Sequence, residues 1–210
     1  MKFNRNNQLK ALEKFYGSSE NEAVVVYSAG DGDADDIIKE FLTNKDYFYY
    51  RAVQVSPEEQ VKLFCHSIKG QIPKLGTALC TYADAFKAML SVKCNKRVII
   101  IDEFQYIVRF SADIVSEAVK CINNKWENQP FLFILTSSNP YFVENQMVSK
   151  LDSSAYEISG IIKISDLTFT DIVSYFDKYS TEDKIITYGI TGGHAKIAEC
   201  FDKISSLKDN

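Results

Sequence analysis

Short, nearly unbroken apolar runs rich in β-branched residues recur along this chain and alternate with stretches of helical period. Four of them are Ala23–Tyr27, Tyr47–Val53, Arg97–Ile101 and Phe131–Thr136, and a weaker fifth is Gly160–Ile164. A strand with one wet face alternates apolar with polar residues; a run without that alternation belongs in a parallel sheet covered on both sides. Between the runs, Asp35–Leu42, Pro57–Lys69, Thr81–Leu90 and Ala112–Trp126 have helical spacing. Ser56 and Pro57 supply a cap and a first-turn proline to the second, and Ile114, Val115, Ala118, Val119 and Ile122 line one side of the fourth. The repeated strand and helix order predicts a doubly wound α/β sandwich of about five strands, with helices on both faces. Gly70–Gly76 is the expected loop of the first half. Beyond Ile164 shorter helices are expected at Thr168–Phe176, Thr181–Tyr188 and His194–Ser205, with Gly192-Gly193 as a turn needing positive φ. The chain is therefore divided into an α/β core, 1–165, and a small helical lid, 166–210.

With 210 residues, 46% of them hydrophobic, the chain is long enough to bury a core of its own. A net charge of −4, with no block of lysine or arginine, gives no general footprint for nucleic acid. No apolar run approaches the ~18 residues of a spanning helix, so a cytoplasmic protein without membrane contact is expected. The five cysteines are scattered without a C-x-x-C pair, and His66 and His194 have no ligand-spaced partner, so reduced structural thiols are expected.

The most informative segment is VVVYSAGDGDADDIIKEFL, residues 24–42, which has the layout of a strand, a phosphate-binding turn and a helix. Such a turn works through converging backbone N–H groups, a lysine on the terminal phosphates and a Ser/Thr hydroxyl on magnesium. Laid on the pattern G-x-x-x-x-G-K-[ST], Ser28 takes the first glycine, Asp33 the second, Ala34 the lysine and Asp35 the hydroxyl. Gly30 and Gly32 remain in the turn. Asp31, Asp33, Asp35 and Asp36 crowd the place of a triphosphate, and two unit charges ~6 Å apart repel by about 3 kcal/mol at an effective dielectric near 20. The same carboxylates suit a helix N-terminus with no ligand, as caps and as partners of the dipole. A weaker alternative is a divalent-cation site built on Asp31, Asp33 and Asp102.

Residues 97–106, RVIIIDEFQY, form a buried strand ending in Asp102-Glu103, at the sheet edge where open α/β folds bind ligands. In a nucleoside triphosphatase the first carboxylate holds magnesium through water and the second polarises the attacking water.

With this strand, the chain resembles the archaeal-type ATPases, a branch of the AAA-like, additional-strand P-loop ATPases. Asn4-Arg5 with Gln8-Leu9 and Leu12 is similar to that family's opening N-R-x-x-E-L-x-x-L, and Val98–Tyr106 to its I-D-E-F-x-Y strand. Leu135–Ser138 resembles its L-x-G-S strand end, which makes Ser138 the candidate sensor. Tyr156 and Ile158 stand in its L-Y-G-R, without the arginine, and Tyr188–Lys196 is similar to its Y-x-x-x-G-G-x-P, with Ala195 for proline. The resemblance implies a P-loop NTPase-like sandwich with Asp102 and Glu103 as vestigial catalytic carboxylates and Gly30, Gly32, Asp33, Ala34 and Asp35 as a degenerate phosphate loop.

Differences from the family gather where nucleotide chemistry would be, while the structural positions match. The expectation is a pseudo-ATPase that binds no cofactor and acts through a protein partner. The alternative is an atypical ATPase using ATP and magnesium, with a lysine such as Lys39 or Lys196, or one from a partner chain, replacing the missing one; Lys39 is expected to point away from the loop. Aromatic residues beside Arg51 in YFYYR are explained by strand composition rather than base stacking, and Trp126 by packing.

Overall fold

The computed structural model describes residues 3, 5–29, 33–72, 78–110, 113–123, 130–204 and 207, with the backbone alone for Asp33 and for residues 121–123. Five parallel strands, β1 (Glu22–Ser28), β2 (Tyr47–Arg51), β3 (Arg97–Asp102), β4 (Phe131–Ser137) and β5 (Gly160–Ile164), stand in the order β2-β3-β4-β1-β5. All five apolar runs are strands, and the second stops at Arg51, two residues earlier than expected.

Successive side chains of a strand point to opposite faces, and the core divides accordingly. Val24, Val26, Val98, Ile100, Leu132 and Ile134 pack with Leu12 of α1 (Asn6–Tyr16) and with Ile37, Ile38 and Phe41 of α2 (Asp33–Phe41). Val25, Ile99, Ile101, Phe133 and Leu135 face the other way, onto α3 (Pro57–Gln71), α4 (Tyr82–Ser91) and α6 (Asp113–Asn123). A single turn, α5 (Gln105–Val108), follows β3. Two short helices, α7 (Pro140–Asn145) and α8 (Met147–Leu151), and a 3-10 turn at Asp152–Glu157 lead from β4 to β5. The last helices, α9 (Phe169–Tyr175), α10 (Thr181–Thr191) and α11 (Ala195–Ala198), gather around a third cluster built on Phe3, Leu167, Ile172, Phe176 and Tyr179.

Helix starts follow local chemistry. Ser56 accepts from the Glu59 N–H at 3.3 Å with Pro57 in the first turn, and Thr81 with Asp84 and Thr168 with Asp171 form reciprocal capping boxes. The outer edge of β2 is closed by a side chain: the Gln71 amide accepts from the Tyr49 N–H at 3.0 Å and donates to the Tyr49 carbonyl at 2.8 Å, as a neighbouring strand would. Lys96 performs a similar service for α1. Its buried ammonium donates to the carbonyls of Phe15, in the last turn of that helix, and of Ser18 and Glu20 just past it, at 3.0, 2.7 and 3.3 Å.

Helices also differ from expectation in extent. The polar N-terminal segment forms α1, whose Leu9, Leu12, Phe15 and Tyr16 meet the sheet; its composition conceals this stripe. The helix expected to continue past Gly193 to Ser205 is only Ala195–Ala198. Past Ala198 the Cys200 N–H donates to the Ile197 carbonyl at 3.1 Å and the Phe201 N–H to the Ala198 carbonyl at 3.2 Å, tighter three-residue bonds that end the α-helix. Helix α3 runs through Gly70 to Gln71, into the expected loop, whose residues 73–76 lie outside the described ones together with Trp126. Among the described residues no helix is long and apolar enough to cross a membrane.

Candidate functional site

Parallel strands bring their C-terminal ends to one edge of the sheet, where β1 ends at Ser28 and β3 at Asp102. Gly30, Asp31 and Gly32 lie outside the described residues, and of Asp33 only the backbone is described, as the first residue of α2. Ala34, at the lysine position of the pattern, is buried in the cluster of α2 and β1. Asp35 and Asp36 diverge: Asp36 pairs with Lys196 at 2.5 Å, while Asp35 turns toward Arg51, 3.7 Å away.

Arg51 is the residue around which the site is built. It is the last residue of β2 and lies in register with Asp102, the last of β3. Its guanidinium reaches Asp102 Oδ2 through Nε at 3.4 Å, Glu103 Oε1 through Nη2 at 3.6 Å and Asp35 Oδ2 through Nη1 at 3.7 Å. One cation thus spans three carboxylates.

Both carboxylates of the strand end are buried and already hydrogen-bonded. Asp102 accepts from the Tyr49 hydroxyl at 2.5 Å through Oδ2 and from the Thr136 hydroxyl through Oδ1. Glu103 has φ of +55°, a left-handed conformation uncommon outside glycine. Its Oε2 accepts from the Ser138 hydroxyl at 2.8 Å, the Ser138 N–H at 3.2 Å and the Gln105 amide. The fold therefore brings Asp102, Glu103 and Ser138 together, with Asp35 opposite.

Electrostatics follows the burial. The Asp35 carboxyl is pushed up from its ordinary value, first by burial and next by Asp102, with Arg51 opposing. Arg51 is raised, chiefly by Asp102. Burial and the bond to Asp102 push the Tyr49 hydroxyl well above the usual tyrosine range.

Arg51 and Tyr49 are the site residues that sequence reasoning missed. The place of Arg51 beside Asp102 follows from the pairing register of β2 with β3, which the sequence does not give. Lys39, expected to point away, lines a cavity with Asp35 and Asp102, because residues 35, 38, 39 and 42 share one side of α2. Lys196 stands with Asp36, away from Asp102. Elsewhere, Tyr156 is exposed, and His194 contacts Asp166 at 3.3 Å. Gly192 and Gly193 have φ of +58° and +84°. Among the described residues no three His, Cys, Asp or Glu side chains are grouped to hold a metal ion; of the proposed set, Asp31 and the Asp33 side chain lie outside them.

Solved structures with the same fold include the Walker-type ATPase of Pyrococcus abyssi, at 12% identity and a TM-score of 0.63, with 94% of this chain and 62% of that one covered. The Aeropyrum pernix ORC1 protein in complex with DNA matches at 13% identity and a TM-score of 0.61, over 93% and 57%. The Aeropyrum pernix ORC2 protein, in ADPNP-ADP complexes, matches at 14% identity and 0.58, over 83% and 50%. An uncharacterized protein of Methanocaldococcus jannaschii is 21% identical over 90% of this chain, which spans only 41% of that relative's length. Residues 3–199 match the family described as an ATPase domain predominantly from Archaea.

Proposed function

Since this chain belongs to the family of ATPase domains predominantly from Archaea, we propose that it is a member that has lost ATP hydrolysis and tight nucleotide binding and that acts through protein–protein contacts. Arg51 carries this reading. A guanidinium between Asp102, Glu103 and Asp35 stands where a working site would need a divalent cation and phosphate oxygens. Asp102 offers magnesium little, since both its oxygens already accept hydroxyl protons. Three carboxylates against Arg51 and Lys39 leave a net negative charge to repel a polyphosphate, and Ala34 brings no further cation. These residues do not fit a magnesium–nucleotide complex.

The scaffold keeps surface for a partner. Helix α10 exposes Ile185, Ile186 and Ile190, and Ile197 of α11 is exposed as well, an apolar face of the kind associated with protein contacts. The DNA and nucleotide named for the ORC structures are not carried over, because the chain has a net charge of −4 and a loop of aspartates.

Calorimetric titration with ATP and magnesium tests the reading, with no saturable binding expected tighter than ~100 μM. Phosphate release is expected at background level and unchanged by Glu103→Gln. Saturable binding below that concentration, or turnover abolished by the substitution, would refute it. The place of Lys39 beside Asp35 favours one rival, an atypical ATPase using that lysine; turnover lost in Lys39→Ala would support it.

A further inference from the structure

Asp102, at the end of β3, and Asp35 of α2 line a cavity of about 550 Å³ that runs between α2 and β2. Among the described residues the helices of the core on this face are α1 and α2, and α1 packs chiefly on α2, β4 and β5. One wall is Ile38, Lys39 and Leu42; the other is Tyr47, Tyr49 and Arg51, alternate residues of the edge strand that point the same way. The volume suits a small ligand, and the walls combine an apolar body with a few polar groups at one end, the usual constitution of such sites.

Charge gives the ligand a sign. Asp35 and Asp102 line the cavity with Arg51 and Lys39, and Glu103, outside the lining but 3.6 Å from Arg51, draws on the same guanidinium, so the cluster carries an excess of one carboxylate. The three acids are not equivalent. Asp102 and Glu103 are held by hydroxyl and amide donors, whereas Asp35 stands at 3.7 Å from Arg51, the longest of the three contacts, and lines the cavity. The tyrosine rings add negative π-faces along the same wall, which attract a cation.

We propose that this cavity binds a small organic cation, a primary amine or amidine on an apolar or aromatic stem. Its charged head lies beside Asp35 and its stem lies between Ile38 and Leu42 on one side and Tyr47 and Tyr49 on the other. This goes beyond the loss of nucleotide chemistry and uses a different ligand class.

The test uses 2-phenylethylamine on the full chain, followed by ligand-observed NMR and thermal shift, with 2-phenylethanol and 3-phenylpropanoate as neutral and anionic comparators. Saturable amine binding at about 1 mM or tighter is expected, with both comparators at least tenfold weaker. Asp35→Asn should weaken the amine about tenfold or more, and Leu42→Trp, which fills the cavity, should abolish binding. Comparators that bind as well as the amine, no saturation by ~10 mM, or an Asp35→Asn protein that is folded and binds undiminished would each overturn the proposal. So would displacement of the amine by ATP with magnesium, since the space would then belong to a nucleotide. Should Leu42→Trp fail to fold, Asp35→Asn and the comparators decide the question alone.

Discussion

Three carboxylates within 3.4–3.7 Å of one guanidinium do not share it equally. Asp102 has the shortest contact and two hydroxyl donors, so Asp35, half-buried and facing Asp102, bears the uncompensated charge. Its pKa lies above the ordinary 3.8, so the folded protein holds this proton to a higher pH than the unfolded chain. Stability from this group is therefore lost as pH rises from about 4 through the raised folded value. Asp35→Asn should stabilise the protein at pH 7 by roughly 0.5 kcal/mol and flatten that part of the stability–pH curve, as read by urea unfolding at several pH values. Thiol chemistry gives a second expectation. Burial pushes the Cys65 thiol up to about 11, while Cys80 and Cys200 are exposed, so a disulfide-exchange reagent should label those two quickly and Cys65 only on unfolding. Asp102, Glu103 and Ser138 were legible as a strand-end constellation, and the fold sets the Ser138 hydroxyl 2.8 Å from Glu103. Arg51 was not. Its contacts cross from β2 to β3 and α2, and the apolar composition of its own run explained it without them.

At the scale of the elements, caps and edges were written locally and tested by packing. Ser56, Thr81 and Thr168 stand as N-caps one residue before their helices, as their side-chain chemistry requires. Thr81→Ala removes one half of a capping box on α4 and should cost about 1 kcal/mol of unfolding free energy, with little change in m-value. The Gln71 contact with Tyr49 was not legible, because a glutamine near a helix end gives no hint that its amide will complete a strand. Gln71→Ala leaves the Tyr49 N–H and carbonyl without that partner on the open edge of β2. A loss of about 1 kcal/mol and concentration-dependent self-association, followed by light scattering, are expected. Helix α1 was missed for a related reason: its apolar stripe is narrow, and only contact with the sheet shows which of its residues matter.

At the scale of the whole molecule, the buried residues among those described form three groups, one on each face of the sheet and one among α9, α10 and α11. Gly193 ties the α10–α11 turn to Leu167 of the third group: its carbonyl accepts from the Leu167 N–H at 2.7 Å, and a Cβ at this position would lie 2.5 Å from the Leu167 carbonyl oxygen. Gly193→Ala adds that clash to a backbone at φ of +84° and should cost about 1–3 kcal/mol, with hydrogen exchange and proteolysis rising first in α9–α11. Uniform loss of protection across the sheet would contradict this division. Strand identity and the parallel, doubly covered sheet were determined by the sequence alone, because a run apolar on both faces has no other stable place. The aspartates between Asp31 and Asp36 were equally plain, since the identity of a side chain is independent of conformation. The tertiary structure alone decided that Arg51 would stand between those carboxylates and that α2 would leave a cavity beside β2. Both depend on distances between chain segments far apart in sequence, and local preference carries no information about such distances.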